Sequence, residues 1–546
     1  MKKFSFLMMV YLLLTVCAAV NGAEVLYDDT HAQTAGNADW IPEGAYSEMA
    51  DMLKENGFII TSLSKVAGRN GEITAEILKD YQAIILAEPN NPYSDQEQKS
   101  ISEFVYNGGG LFIIGDHGGA DRNNNGWDAV KVFNAFVPKF GFKFQGNTIY
   151  ESPLSGPNNN SHPAMFGVRA VGAWAGSTFD IIEGEEGKAV GLIDSRISKA
   201  PYIVAAEYGQ GRVVAIGDSS PFDDGTGSPN GSKNKLHDSY DSFMYSHPQL
   251  AYNAMAWTTG KETGKRIPSR IVPMFNEAKA SEKAINILID AAHGNASSDK
   301  MKTFEKHMKR NGLKVYFTLN LIKPEMLKNF GTVILPDPSF RYIDTEAQAI
   351  ADWFMAGGNL IMGAAWDSSK LRGTATLNFV LGKIGAVMRF NDDQVWDEKN
   401  KTNKPWGVLS RGIKKDHPVT AGVTTAITWG TCSLIDRNNQ PLSENAGVEI
   451  LVSANRESFN KDGDKRVPAV LYPKDMPIAI MAMEKVVNGT LVMIGTCNFT
   501  DYQYPDSDIN MSMPGPPPFT HETPQLWNNL LRQLAQKPAS ARNRRK

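Results

Sequence analysis

Gly108-Gly-Gly-Leu-Phe-Ile-Ile-Gly-Asp-His117 is the stretch whose reading decides the fold. The apolar run Leu111–Ile114 follows a glycine turn and stops at Gly115. A short apolar run bounded by turn residues reads as a strand buried on both faces. Its carboxyl end delivers Asp116 and His117 into a second tight turn, Gly118-Gly119. Open parallel sheets bind ligands in the crevice beyond the carboxyl ends of their strands. An acid and an imidazole therefore stand where such a fold does its chemistry.

The neighbouring segments agree with a parallel sheet. Val25–Tyr27, Ala83–Ala87 and Val213–Ile216 read as further short buried strands. Tyr46–Asn56 reads as a helix with Met49, Met52 and Leu53 on one face. Ser94–Tyr106 is a second helix, opened by the capping box Ser94/Glu97 and facing inward through Ile101, Phe104 and Val105. Leu250–Trp257 closes the unit. Apolar strands alternating with helices predict a parallel sheet covered on both faces.

The pattern occurs twice. Asp80–Pro89 aligns with Asn329–Pro338, and at the same spacing Tyr93, Asp95, Glu97 and Gly108-Gly109 align with Tyr342, Asp344, Glu346 and Gly357-Gly358. Asp28-Asp-Thr-His31 matches Asp290-Ala-Ala-His293, His162-Pro163 matches His417-Pro418, and Gly211–Gly217 matches Gly489–Gly495. With 546 residues the chain is too long for one core. The expectation is α/β: two tandem flavodoxin-like three-layer domains with mainly parallel sheets. They span residues 24–262 and 284–537, joined by a linker at 263–283 and followed by a basic tail at 538–546.

The amino terminus has the form of a secretory signal peptide over residues 1–23. Lys2 and Lys3 precede the apolar stretch Phe6–Val20 and the small-residue exit Val20-Asn-Gly-Ala23. Cys17 invites a lipoprotein reading, which Val16 just before it disfavours. The expected location is secreted or periplasmic, with no transmembrane segment in the mature chain. A net charge of −3 without a long basic run before the tail argues against a nucleic-acid partner. Cys432 and Cys497 align with Ser177 and Ser219, so both cysteines are new in the same copy. That paired change predicts a disulfide in an oxidising compartment.

Together with Gly209-Gln-Gly-Arg-Val-Val-Ala-Ile-Gly-Asp218, the glycine-led strand resembles the class I glutamine amidotransferase-like superfamily, in particular its trehalose-utilisation-type and gliding/intraflagellar-type branches. The resemblance extends over both copies. It implies a flavodoxin-like sheet with the site at the turn after the glycine-led strand. The amidotransferases carry a cysteine nucleophile there, whereas this chain has Gly115-Asp116-His117 and, in the second copy, Ala364-Ala365-Trp366. Thiol-based glutaminase chemistry is thereby excluded. The trehalose-utilisation branch commonly places a histidine at this turn, and the resemblance is the sole reason for expecting a carbohydrate-like ligand.

The second copy serves as an internal control. Asp28 and His31 recur, which favours a role in the fold, although His31 also stands among the candidate ligand-binding residues. Asp29, Asp116, His117 and Asp218 are replaced by Ala291, Ala365, Trp366 and Thr496. Each follows an apolar strand, so all should converge at one edge of the sheet. Asp116, His117 and Asp218 are the catalytic candidates; Asp29, His31, Asp223 and His237 are the ligand-binding candidates. The loop containing His237-Asp238 has the position of a lid. A carboxylate beside an imidazole suits general acid–base work or a divalent metal. No metal site is assigned, however, and the cofactor stays open. Asp121–Gly126 matches the first half of a calcium loop, but Val132 replaces the bidentate glutamate, so a plain Asn/Gly turn is expected. No Gly-x-Ser-x-Gly elbow surrounds Ser219-Ser220, which disfavours a serine hydrolase. Two readings follow: a binding module for a small polar, carbohydrate-like ligand, or a hydrolase or isomerase using Asp116 and His117.

Overall fold

The computed structural model describes residues 22–535 except 37, 184–185, 226–237, 296, 366–372, 403, 445–446, 463–467 and 501–520. The signal-like segment up to residue 21, His237, Trp366 and the basic tail lie outside the described residues. The chain divides into two compact units. One lies within residues 1–269; the other lies within 270–546 and also takes in Asp238 and Ser242–Met244.

The first unit is built on a mixed sheet. Its strands are β1 (Ala23–Asp28), β2 (Phe58–Ser62), β3 (Ala83–Ala87), β4 (Gly110–Ile114), β5 (Lys188–Asp194), β6 (Pro201–Tyr208) and β7 (Gly211–Ile216), in the order β2-β1-β3-β4-β7-β6-β5. The members β2, β1, β3, β4 and β7 run parallel, while β6 runs against both its neighbours, β7 and β5. The cause is local: β6 turns straight back into β7 through Gly209-Gln210, too short a link for a parallel crossover. Sheet periodicity sorts the side chains. Val25, Tyr27, Ile85, Phe112, Ile114, Val214 and Ile216 face one core, with helices α1 (Ser47–Glu55) and α3 (His247–Thr258). Leu26, Ile84, Leu86, Leu111, Ile113, Val213 and Ala215 face the other, with α2 (Asp95–Tyr106). The capping box at Ser94/Glu97 forms as expected.

The second unit has strands β8 (Asn286–Asp290), β9 (Lys314–Thr318), β10 (Thr332–Pro336), β11 (Asn359–Gly363), β12 (Gly412–Ile413), β13 (Val448–Ser453), β14 (Ala479–Val486) and β15 (Gly489–Ile494). Their order is β9-β8-β10-β11-β15-β14-β13-β12, so the first seven positions repeat the first sheet and β12 is an added edge. Leu288, Val333, Leu360 and Leu491 face one core. Ile289, Ile334, Ile361 and Val492 face the other.

The expected disulfide does not form. Cys432 and Cys497 are both free and buried. Cys432 belongs to the core containing Leu360 and Met362, and Cys497 to the core containing Phe499 and Trp527. The aligned positions flank the same strand end, but the sheet lies between the two side chains. No helix among the described residues is long and apolar enough to cross a membrane.

One close approach is the same in both units. Gly217 accepts from the Ser177 amide at 2.7 Å, and Gly495 accepts from the Cys432 amide at 2.8 Å. A Cβ on either glycine would stand 1.8 Å from the facing carbonyl oxygen. Gly217→Ala and Gly495→Ala should therefore each cost about 1–3 kcal/mol or more through forced backbone displacement. Urea unfolding curves with unchanged slope and lowered midpoint would register it.

Candidate functional site

The site starts from a buried tie at the end of β1. His31 Nδ1 meets Asp28 Oδ1 at 2.9 Å, and its Nε2 meets Glu97 Oε1 at 3.1 Å. The Tyr93 hydroxyl donates to Asp28 Oδ2 at 2.7 Å, and its ring lies 4.4 Å from the imidazole. Burial opposes the imidazolium, but the two carboxylates outweigh it and raise His31 to about 10. In the same way the charged partner holds Asp28 and Glu97 below the usual carboxylate range against the effect of burial. The second unit repeats the tie with His293, Asp290, Glu346 and Tyr342. Both ring nitrogens of His31 are engaged within the protein.

The tie holds the next strand end. The His31 carbonyl accepts from the Asn90 amide at 2.8 Å, fixing the segment that leaves β3. Glu88 stands there with φ of 37°, its amide donating to the Ile114 carbonyl at 2.8 Å. A non-glycine residue in this region is strained and persists only where its surroundings enforce it. Beside it, β4 and β7 end in Gly115-Asp116 and Gly217-Asp218. Because Ile114 and Ile216 are paired in register, the two aspartates emerge next to each other.

Glu88, Asp116 and Asp218 are all buried. Arg122 reaches in from the loop after β4. Its Nε donates to Glu88 Oε1 and its terminal nitrogen to Asp116 Oδ2, each at 2.6 Å. The guanidinium lies 4.4 Å from the Trp40 ring, whose Nε1 donates to Asp223 Oδ2 at 3.1 Å. Burial pushes the Glu88 carboxyl well above its usual range; Arg122 works against that shift and Asp116 adds to it. Among the described residues, the buried Glu88 Oε2 has no hydrogen-bond partner. Asp218 accepts from the amides of Ser220 at 2.9 Å and Trp174 at 2.5 Å. Burial, reinforced by Asp116, raises Asp218 to about 7.

His117 lies over this cluster with its side chain 30% exposed. Its amide donates to Asp116 Oδ1 at 2.7 Å, while its Nε2 is 4.0 Å from the same oxygen, beyond hydrogen-bond reach. The Nδ1 atom meets the Gly118 carbonyl at 2.9 Å. A carbonyl only accepts, so this contact assigns the proton to Nδ1 and leaves Nε2 as the basic nitrogen of the neutral ring. Tyr150 is 50% exposed, and its phenol is pushed up by burial and by the charges of Asp218 and Asp116.

The structure thus brings Asp116, His117 and Asp218 to one sheet edge. Asp29 is elsewhere: it accepts from the Ser64 amide at 2.8 Å and from the Ser64 hydroxyl, joining the ends of β1 and β2. Asp223 supports Trp40 from behind the cluster. His237 lies outside the described residues. Asp121 accepts from the amides of Asn125 and Gly126 at 3.1 and 2.7 Å, the plain turn expected for that loop. Glu88 and Arg122 are the residues the sequence reading missed. The available signal was the acid that follows β3 in the first unit and β10 in the second, Glu88 and Asp337, both at positive φ. Among the described residues no group of three or more His, Cys, Asp or Glu side chains is arranged to hold a metal ion.

No family model matches the chain, and no curated protein does. Solved structures that do match include the mmIFT52 N-terminal domain, at 16% identity over 44% of this chain and 99% of that one, with a TM-score of 0.34. A ThuA-like protein from Bacteroides uniformis ATCC 8492 matches at 16% identity over 51% of this chain and 98% of its own, with a TM-score of 0.29. The exo-beta-1,4-mannosidase Op5Man5 from Opitutaceae bacterium strain TAV5 matches at 11% identity over 44% of this chain and 36% of its own, with a TM-score of 0.26.

The tie predicts a pH dependence of stability. His31 is raised from 6.5 to about 10, so its contribution is complete below pH 6.5 and is lost as pH rises through about 10. Asp28 and Glu97 are lowered, so theirs is present above the usual carboxylate range and is lost in acid. His31→Gln should cost about 3–5 kcal/mol near neutral pH by leaving the carboxylates unbalanced. It should also flatten the alkaline fall, as followed by thermal melts across pH.

Proposed function

We propose that the first unit binds a small, neutral, hydroxyl-rich ligand of carbohydrate type at the carboxyl ends of β3, β4 and β7, without glutaminase activity. The observation that carries this reading is the charge balance beneath His117. Burial favours the neutral forms of Glu88 and Asp218, and the cation Arg122 is spent on Glu88 and Asp116. Such a cluster attracts neither a strong anion nor a strong cation. It offers acceptors, an acid proton and the partly exposed imidazole of His117 to hydroxyl groups, with the half-exposed ring of Tyr150 beside them. The turn holds Asp116-His117 where a thiol nucleophile would be needed for glutaminase chemistry.

We also read the two units as copies of one flavodoxin-like domain. Their shared strand order and their matching Asp–His–Tyr–Glu ties support a duplication. The second copy has Ala365 and Thr496 at the positions of Asp116 and Asp218, so it lacks two of the cluster's three acids. The signal-like amino terminus supports export to the periplasm or the exterior.

A second reading rests on the His117 tautomer. A basic Nε2 beside Asp116, with Asp218 at the neighbouring strand end and its carboxyl raised to about 7, supplies a base and an acid at one sheet edge, as a hydrolase or isomerase requires.

Calorimetry with a panel of neutral mono- and disaccharides separates these readings. Binding should be insensitive to salt and should weaken several-fold in His117→Ala, as expected for loss of one hydrogen bond worth about 0.5–1.5 kcal/mol. Turnover of a bound sugar, abolished in the same variant, would establish the enzymatic reading. Failure of the whole panel to bind would overturn both.

A further inference from the structure

The second unit carries a surface that the site described above does not use. Two short antiparallel pairs, 393–396 with 459–462 and 407–410 with 426–429, bear a row of aromatic rings. Phe459, Trp396, Trp406 and Trp429 follow one another with ring centroids 6.4, 5.6 and 6.4 Å apart. Phe459 is 45% exposed, and the three tryptophans are partly exposed. Rings of this size contribute most when buried in a core, so a row left in contact with water marks a binding surface. Cations accompany it. Lys461 Nζ is 3.2 Å from the Trp396 centroid, and Lys404 Nζ is 5.7 Å from that of Trp406.

The row abuts a cavity of about 1120 Å³ lined in part by β12, the strand with no counterpart in the first sheet. One polar frame holds both. Asp397, next to Trp396, accepts from Asn455 Nδ2 and from the hydroxyl of Ser458, next to Phe459, each at 2.8 Å. Asn455 and Asn400 line the cavity. So do Lys399, Arg411, Lys414, Arg456 and Lys474. Lys414 is held by Glu444 at 2.6 Å. Arg411 donates to Asn400 Oδ1 at 2.9 Å. Lys399, Arg456 and Lys474 make no ion pair among the described residues, and the remaining acids of the wall are Glu457 and Asp475.

We propose that this surface binds an anionic oligosaccharide, a uronate or sulfated glycan, with sugar rings against the aromatic row and acid groups in the cavity. The C–H face of a sugar ring is apolar and weakly positive, which suits the negative face of an indole or phenyl ring. Carboxylate or sulfate groups are met by arginine and lysine, and hydroxyls by Asn400 and Asn455. The aromatic row alone would fit a neutral glycan; the cations without carboxylate partners select an anionic one. A single-stranded nucleic acid also combines rings with negative charge. It is disfavoured because Glu457 and Asp475 interrupt the cationic wall and the whole chain carries a net charge of −3.

The test uses the full chain with polygalacturonate, chondroitin sulfate, neutral dextran and single-stranded poly-dT, followed by tryptophan fluorescence and calorimetry. Expected is binding of an acidic glycan that weakens with salt, with no binding of dextran or poly-dT. Arg456→Ser and Lys474→Ser should each weaken it roughly tenfold. Phe459→Ala, at an exposed position that leaves folding intact, should weaken it without changing the salt dependence. His117→Ala should leave it unchanged, which separates this site from that of the first unit. Absence of binding to both acidic glycans, equal binding of dextran or poly-dT, or unchanged affinity in all three variants of the surface would overturn the proposal.

Discussion

The structure depends on an imidazolium buried between two carboxylates. Burying three ionisable groups is costly, and their mutual attraction offsets that cost only when the geometry is close and the leftover atoms are bonded. Here they are. Tyr93 takes the second oxygen of Asp28, and the amides of Ile73 and Ser94 take the oxygens of Glu97. Glu97 is at once the capping-box residue of α2 and a partner of His31, so the helix start and the β1 loop are fixed by one side chain. The His31 carbonyl then fixes Asn90, and through it the strained Glu88. A tie that looks purely structural is thus the mount on which the acid cluster rests.

The two units show what happens when the mount stays and the cluster goes. Asp290, His293, Tyr342 and Glu346 keep the tie, and Asp337 keeps the left-handed backbone at 40°. Yet Ala365 and Thr496 stand where Asp116 and Asp218 would be. Of the three acids of the cluster only the counterpart of Glu88, Asp337, is left. Fold and cluster are therefore separable in energy: the first rests on the tie and the two cores, the second on Arg122.

Much of this was legible in the sequence, for physical reasons. Strands buried on both faces are continuous apolar runs, and Ala83–Ala87 and Leu111–Ile114 were read within a residue of their bounds. Helix α2 announced itself through its capping box. Strand β2 did not, because Phe58–Ser62 lies at the sheet edge and only its two end residues are buried. Strands β5 and β6 carry no such signature, because Lys188–Asp194 mixes exposed and buried positions and Pro201–Tyr208 opens on a proline. In the site, Asp116, His117 and Asp218 stand out by their difference from the aligned residues of the second half, Ala365, Trp366 and Thr496. Glu88 has an acid, Asp337, at its aligned position, so a comparison of the two halves does not single it out, and Arg122 lies in a loop whose pattern is that of an Asn/Gly turn. The cysteine pair was misjudged because alignment gives a position along a strand end but not the face to which a side chain turns.

That last point has a wider meaning. Two thiols walled apart by a sheet cannot be joined by any oxidant while the sheet is intact. The carboxyl-terminal half gains its stability from its cores and its buried tie, not from a bond between Cys432 and Cys497. Its fold is therefore indifferent to whether it forms on the reducing or the oxidising side of a membrane, a freedom that a disulfide-stapled domain does not have.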